Sequence, residues 1–335
     1  MQAIKVFSGG SCGAPKEVVR PRQSWLDSLT IEARAFGLRS AHRFGVLGSD
    51  QHSLWSYAMF RSEETQSFCK GLPLSPKDQL ELIVSNKLSV LYAVTPLLQL
   101  LCRLASRLGV QVHCVEKIIV GGSCWPERLT GLCQQTFPRA EIFCFYGSVE
   151  LGYVAYSKPS EPLQPFPGVE VRTDAHNQLW VRSPLTISTD AWLASGDCVA
   201  WVDPVSASCT GRSFYFLGRL DRVINQSGIK IQPEPIEEQL RSKLDCSELA
   251  LLGLPDSLRG ERLALALGPE LVSRYVELKR EMQELPHPMA LTLKGAKLLQ
   301  LQAWPTQANG KFSLKGLVDE IPRGSFIQRR ALESL

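Results

Sequence analysis

Apolar positions along the chain follow two rhythms, one with helical spacing and one of short unbroken runs. Trp25, Leu29, Ala33 and Phe36 fall on one helical face with Gly37 as a stop, so the spacing predicts a helix from Trp25 to Phe36. Apolar runs predict strands at Gln2 to Phe7, Phe44 to Leu47, Leu88 to Val94, Lys117 to Val120 and Glu141 to Phe145. Helices are expected between the later ones. They are a partly apolar one from His52 to Phe60, one opened by Ser75-Pro76 with Asp78 as an approximate capping box, one opened by Thr95-Pro96 and ended by Gly109, and one from Pro126 to Phe137. Strands alternating with helices imply an α/β layer with a largely parallel sheet. Ligands gather at the carboxyl ends of such strands. The loops Gly121-Gly122-Ser123 and Tyr146-Gly147-Ser148-Val149-Glu150 fall at such ends, so both can face one crevice.

From Gly168 the texture changes. Val169 to Arg172, Gln178 to Val181, Cys198 to Val202 and Ser213 to Leu217 read as short strands of a β-subdomain that carries Ser195-Gly196-Asp197. The stretch Gly218 to Leu240 reads as a ribbon with a tight Ser227-Gly228 turn, running into a helix from Pro233 to Leu244 with acidic residues in its first turn. Strands near Ala250 to Leu254 and Leu263 to Leu267, a helix from Glu270 to Gln283 and a strand from Leu298 to Trp304 complete an α+β unit. It ends in an Asn-Gly turn bearing Lys311 and a final short helix. The expected organisation is a large α/β domain with a β-subdomain over residues 1–220, a small α+β domain over 221–335, and a charged joint at Asp221.

Composition narrows the function classes. A chain of 335 residues, 44% hydrophobic, has enough apolar material for two cores. The net charge of +4 is mild and the basic residues are scattered without interleaved aromatics, which disfavours nucleic acid. The longest apolar run, around Leu97 to Leu108, carries Arg103 and Arg107, and no run reaches membrane-spanning length. Met1 to Phe7 has no secretory pattern. The ten cysteines are dispersed without a CxxC pair and sit mostly in apolar segments, so they read as buried free thiols of a cytoplasmic protein. The five histidines are likewise scattered, which leaves no His/Cys metal pattern.

One loop carries phosphate-binding chemistry on its own terms. Ser8-Gly9-Gly10-Ser11-Cys12-Gly13-Ala14-Pro15-Lys16 holds three glycines, two serines and a lysine in nine residues. Glycines let backbone N–H groups converge on an anion, and the lysine adds charge. The loop lacks the GxxxxGK[ST] spacing of a P-loop, and an exposed surface loop has the same composition. His52 is equally a pocket or a structural residue, and Lys311 equally a surface lysine.

Taken together, SGGSCGAPK (8–16), GGS (121–123), YGSVE (146–150), SGD (195–197), GRLDRVINQSGIKIQPEPIE (218–237) and PTQANGK (305–311) resemble, in order and spacing, the motifs of the acyl-adenylate-forming, AMP-binding superfamily. That group includes acyl- and aryl-CoA ligases and the adenylation domains of peptide synthetases. The compact loops are most similar to the shorter aryl-acid ligases, such as o-succinylbenzoate–CoA ligases. The resemblance implies ATP-dependent activation of an aryl or medium acyl acid, then transfer to the thiol of CoA or of a carrier protein's phosphopantetheine. It also implies that the small C-terminal domain is a mobile lid.

It assigns roles as well. Ser8, Gly9, Gly10, Ser11, Cys12, Gly13 and Lys16 would hold the ATP phosphates. Gly122, Tyr146, Gly147 and Val149 would line the nucleotide site, with Tyr146 on the adenine. Glu150 would bind Mg²⁺, and Asp197 with Arg219 would hold the ribose. His52, Gly121 and Ser123 would border the acyl pocket. Asp221 would be the hinge, Gly228 would leave room for the pantetheine arm, and Lys311 would reach the substrate carboxylate and the α-phosphate. The chain departs from the pattern at Cys12 and Val149, where the family has threonine, and at Asn225, where many CoA ligases have lysine. The family also carries a long portion ahead of the 8–16 loop. Set against that pattern, the expectations are a partner chain or a homo-oligomer covering exposed core, a misassigned start, or a minimal or degenerate relative that binds nucleotide or another chain without catalysis.

Overall fold

The computed structural model describes residues 3–8, 16–48, 50, 53–122, 125–188, 190–203, 211–305, 316–317 and 325–326. The described residues divide into two compact units. The first comprises 3–8, 16–195 and 199–216, and the second comprises 196–198 and the described residues from 217 onward.

The first unit opens with an antiparallel hairpin of β1 (Ala3–Ser8) and β2 (Lys16–Pro21), in which Ser8 pairs with Lys16. Helix α1 (Arg22–Phe36) follows and stops at Gly37, whose φ of 61° is left-handed and costs glycine nothing. Then come β3 (Phe44–Leu47), α2 (Ser53–Thr65), β4 (Cys69–Leu72), α3 (Pro76–Ser85), β5 (Val90–Val94), α4 (Thr95–Leu108), β6 (Lys117–Gly121), α5 (Glu127–Thr136), β7 (Glu141–Ser148), β8 (Gly152–Ser157) and β9 (Gln164–Pro165). These strands form one sheet in the order β4-β3-β5-β6-β7-β8-β9. The first five are parallel, and β8 and β9 add on antiparallel.

Both faces of the sheet are covered, which is why β5 reads as an unbroken apolar run. Val90 and Tyr92 pack on one face with Trp25, Phe36 and Tyr57 of α1 and α2. Leu91 and Ala93 pack on the other with Ile83, Leu98, Leu101 and Leu129 of α3 to α5. A further sheet has the order β10 (Glu170–Thr173), β11 (Gln178–Arg182), β12 (Leu193–Trp201), β13 (Phe214–Arg219), of which residues 196–198 and 217–219 count to the second unit.

The second unit continues from the 3₁₀ turn Leu220–Arg222 into β14 (Ile224–Gln226) and β15 (Ile229–Ile231). Helix α6 (Pro233–Leu244), strands β16 (Leu249–Asp256) and β17 (Gly260–Leu267), helices α7 (Pro269–Ser273), α8 (Tyr275–Gln283) and α9 (His287–Leu293), and strands β18 (Lys297–Gln300) and β19 (Ser325–Phe326) complete it. Its sheet runs β15-β14-β17-β18-β19, with β16 also paired to β17. Leu240, Leu251, Leu265 and Leu278 are fully or almost fully buried in its core.

The mixed α/β architecture with a β-subdomain matches the expectation, and several elements differ in detail. Strands β2, β4 and β8 and helix α9 were not expected. The motif at 146–148 continues strand β7 instead of leaving it, because β8 pairs back onto it. The helix expected from Glu270 to Gln283 breaks at Arg274, whose φ of −104° and ψ of 27° fall off the helical values. The strand expected to reach Trp304 ends at Gln300. Of the final short helix after Lys311, only Gly316 and Leu317 lie among the described residues. Seven cysteines are described, all as free thiols. Burial pushes the Cys69 thiol up to about 11 and that of Cys144 to about 12. No helix among the described residues is long and apolar enough to cross a membrane.

Candidate active site

The 8–16 motif brackets a hairpin. Ser8 ends β1, Lys16 begins β2, and the two pair across the strands. Four residues after Lys16, Arg20 enters the core and is only 2% exposed. Its guanidinium donates to the backbone carbonyls of Val149 and Leu185 and, at 3.2 Å, to Ser24 Oγ. Strand β2 is thereby bonded to the turn that carries Glu150. That turn is held further by Leu151 N–H donating to Ser148 Oγ at 3.1 Å and Ile187 N–H donating to the Glu150 carbonyl at 2.9 Å. Burial pulls the Arg20 guanidinium down to about 10, against the opposing pull of the Glu150 carboxylate. Glu150 itself is half-buried. The Val149 side chain packs against the apolar core.

The carboxyl ends of the parallel strands line up as the pattern implied. Val94, Gly121 and Phe145 are register partners across β5, β6 and β7, so Thr95, Gly122 and Tyr146 follow in one row. Gly121 is needed for close approach, since a Cβ there would sit 2.3 Å from the Phe145 ring. Gly122 has a φ of 90°. Tyr146 is half-buried, its ring edge-on to Phe214 at 6.0 Å and tilted against Phe216 at 6.2 Å. At Gly147 the pairing register shifts, and a Cβ would meet the Gly152 carbonyl oxygen at 2.1 Å. Sequence reasoning passed over Thr95. Its Thr-Pro signal marked only a helix start, yet the residue is 4% exposed at this strand end and its hydroxyl has no hydrogen-bond partner among the described residues.

In the second unit, Arg219 lies between two carboxylates, with Nη1 3.0 Å from Asp197 Oδ1 and Nε 3.3 Å from Asp221 Oδ1. Burial lowers the Arg219 guanidinium, but the two carboxylates outweigh it and hold the group above its ordinary value. Gly196 has a φ of 75°, and a Cβ there would sit 3.2 Å from that guanidinium. Asp221 belongs to the 3₁₀ turn, and its neighbour Arg222 is fastened bidentately to the buried carboxylate of Glu237 at 2.6 and 3.1 Å. Ser227 and Gly228, at φ 54° and 83°, make the tight turn between β14 and β15, and nothing lies within 4 Å of a Cβ at Gly228. Gly9, Gly10, Ser11, Cys12, Gly13, His52, Ser123 and Lys311 lie outside the described residues, as do the side chains of Ser8 and Lys16.

No protein-family model matches the chain. An uncharacterized acyl–CoA ligase of Bacillus subtilis, YhfT, is 27% identical over 288 residues, covering 78% of this chain and 58% of that protein. The 2-succinylbenzoate–CoA ligase of Lactococcus lactis is 24% identical over 255 residues, covering 71% of this chain and 53% of that protein. The chain thus spans less than two thirds of the length of these curated relatives. Among solved structures, the o-succinylbenzoate CoA synthetase MenE of Bacillus subtilis with its acyl-adenylate intermediate superposes with a TM-score of 0.76 at 20% identity, covering 93% of this chain and 68% of that one. The chain is thus similar in sequence to acyl–CoA ligases, and its fold is that of the o-succinylbenzoate CoA synthetase MenE.

Proposed function

We propose that this chain carries the catalytic machinery of an acid–thiol ligase. In the first step a substrate carboxylate oxygen attacks the α-phosphorus of ATP, the bond to the β-phosphate oxygen breaks, and pyrophosphate leaves an acyl-adenylate. In the second a thiol sulfur attacks the acyl carbon, AMP leaves, and the thiol proton is released. The acceptor is CoA or the phosphopantetheine arm of a carrier protein. The apolar surroundings of the strand ends favour an aryl or medium acyl acid.

The observation that supports this most is the frame made by Arg20. It joins strand β2, which follows the candidate phosphate loop in sequence, to the turn bearing Glu150, and this supports reading the two as parts of one site. The family's magnesium fits this donor set. Magnesium is usually held by one or two carboxylates together with substrate phosphates. Glu150 offers one such group, and the described residues contain no cluster of three metal-ligating side chains that would make an all-protein cage. When bound, the ion supplies charge neutralisation on the phosphoryl oxygens. The remaining work is positioning. Gly122, Gly147 and Val149 border the nucleotide, and Tyr146 lies along the adenine. Asp197, oriented by Arg219, takes the ribose hydroxyls. Lys16 and the 8–16 loop take the outer phosphates. Lys311 takes the charge building at the α-phosphate, and His52, Gly121 and Ser123 border the acid. The unit beyond Asp221 acts as a lid that changes position between the two half-reactions, with Gly228 facing the thiol arm in the second.

Exchange of labelled pyrophosphate into ATP, run across a panel of aryl and medium acyl acids, tests the reading. Exchange with at least one acid and its loss in Lys311→Ala are expected. No exchange with any acid, beside intact ATP binding, would instead identify a nucleotide-binding relative without catalysis.

A further inference from the structure

Arg20 is a cation placed where a cation is costly. It sits in the core at 2% exposure, and its Nε has no hydrogen-bond partner among the described residues. A buried guanidinium persists only where its remaining donors are well used. Here they are spent on backbone carbonyls far away in sequence, those of Val149 and Leu185, and on Ser24 Oγ. Ser24 is itself fixed, its Oγ donating to the Pro21 carbonyl at 2.7 Å. The packing leaves no slack. Gly152, at φ 71°, has the Leu185 carbonyl oxygen 2.4 Å and Arg20 Nη2 3.0 Å from where a Cβ would stand. A merely apolar contact could fill this space at lower cost. The fork of a guanidinium is the one side chain able to grip two carbonyls on separate turns, one of them the carbonyl of Val149 beside Glu150.

We propose that Arg20 is a positioning residue that sets the Glu150 carboxylate against the strand leaving the 8–16 loop, and thereby governs the affinity for magnesium-loaded nucleotide. It does not touch the reacting atoms. The proposal rests on the reading of Glu150 as the magnesium carboxylate. Residues that orient metal ligands change metal affinity by about tenfold to a hundredfold when replaced, and that is the effect expected here.

The test uses the whole chain and two variants, Arg20→Lys and Arg20→Met. Lysine keeps the charge and loses the fork, and methionine keeps the bulk alone. Calorimetric titration with ATP is run in EDTA and then over a range of Mg²⁺ concentrations, with urea unfolding to confirm folding. In EDTA both variants should bind ATP like the wild type. With magnesium, both should need about tenfold to a hundredfold more of the ion for half-saturation, while the KM for the acid in pyrophosphate exchange stays unchanged. A folded variant with the wild-type magnesium requirement overturns the proposal, as does an acid KM that rises in step with the magnesium requirement. Should both variants fail to fold, Ser24→Ala carries the test. It removes one of the guanidinium's anchors, and a magnesium requirement equal to wild type then overturns the proposal. A wild-type chain that binds nucleotide identically with and without magnesium refutes the reading of Glu150 and this inference together. A wild type that responds to magnesium beside folded variants that respond at the same concentrations refutes the inference alone.

Discussion

Glu32 and Arg61 meet inside the first unit, with Glu32 at 0% and Arg61 at 4% exposure. The hydroxyls of Tyr92 and Tyr153 donate to the same carboxylate at 2.9 and 3.0 Å, and the guanidinium also lies 4.5 Å from the centre of the Phe44 ring. Burial raises the Glu32 carboxyl above its ordinary value although Arg61 and the two tyrosines oppose the rise. A buried pair of this kind adds little net stability, but removing one partner strands the other. Arg61→Met should therefore cost about 3–5 kcal/mol in urea unfolding, and Glu32→Gln added to it should recover much of the loss. Equal stability of the single and double variants would show that the carboxylate is not stranded. The charged residues of Sequence analysis were chosen for their motif context, and Glu32, Arg61 and Arg20 had none. A glutamate in an amphipathic helix reads as solvent-facing until the elements above it are placed.

At the scale of elements, the signals that were legible are local ones. Gly37 and Gly109 end α1 and α4 in the left-handed conformation, and Ser75 caps α3 by accepting from Asp78 N–H, as the residue types alone imply. Buried strands β3, β5, β6 and β7 follow from unbroken apolar runs. Two of the strands that escaped notice, β2 and β4, lack such a run. Lys16–Pro21 carries lysine, glutamate and arginine, and Cys69–Leu72 is a short edge strand. Whether Tyr146 leaves the sheet or stays in it depends on β8, whose pairing no local rule announces. The register shift at Gly147 makes a prediction. An alanine Cβ would press on the Gly152 carbonyl, so Gly147→Ala should pry β7 from β8, costing about 1–3 kcal/mol, and weaken ATP binding by displacing Tyr146 and the Glu150 turn together. Unchanged ATP affinity in a calorimetric titration would separate the bulge from the site.

For the whole molecule the decisive segment is Gly218 to Arg222. Arg222 is tied to α6 through Glu237, so rotation within the second unit beyond that point would break a bidentate pair with a buried carboxylate. Under the proposed lid reading, the freedom that the lid requires falls at or before Asp221, which is half-exposed. Under the proposed two-step mechanism, Asp221→Pro should fix φ at the joint and slow one half-reaction far more than the other. Single-turnover adenylation and thioester formation, measured separately, check this, and equal losses in both would remove Asp221 from the pivot role.

The sequence by itself determined the elements whose causes lie within a few residues: the caps, the apolar runs, the tight turn at Ser227-Gly228, and the alternation of strand and helix that makes a parallel sheet. It also placed Gly121-Gly122 at a strand end ahead of a helix, whereas Tyr146 to Ser148 continue β7 and lead into another strand. Tertiary structure alone decided which groups share a frame. Arg20 reaches Val149 across 129 positions and Leu185 across 165, and Tyr153 reaches Glu32 across 121. Spacing along the chain carries no trace of such contacts. Their energy comes from desolvating charges and carbonyls in a common core, and that core exists only once the strands have paired and the helices have closed over them.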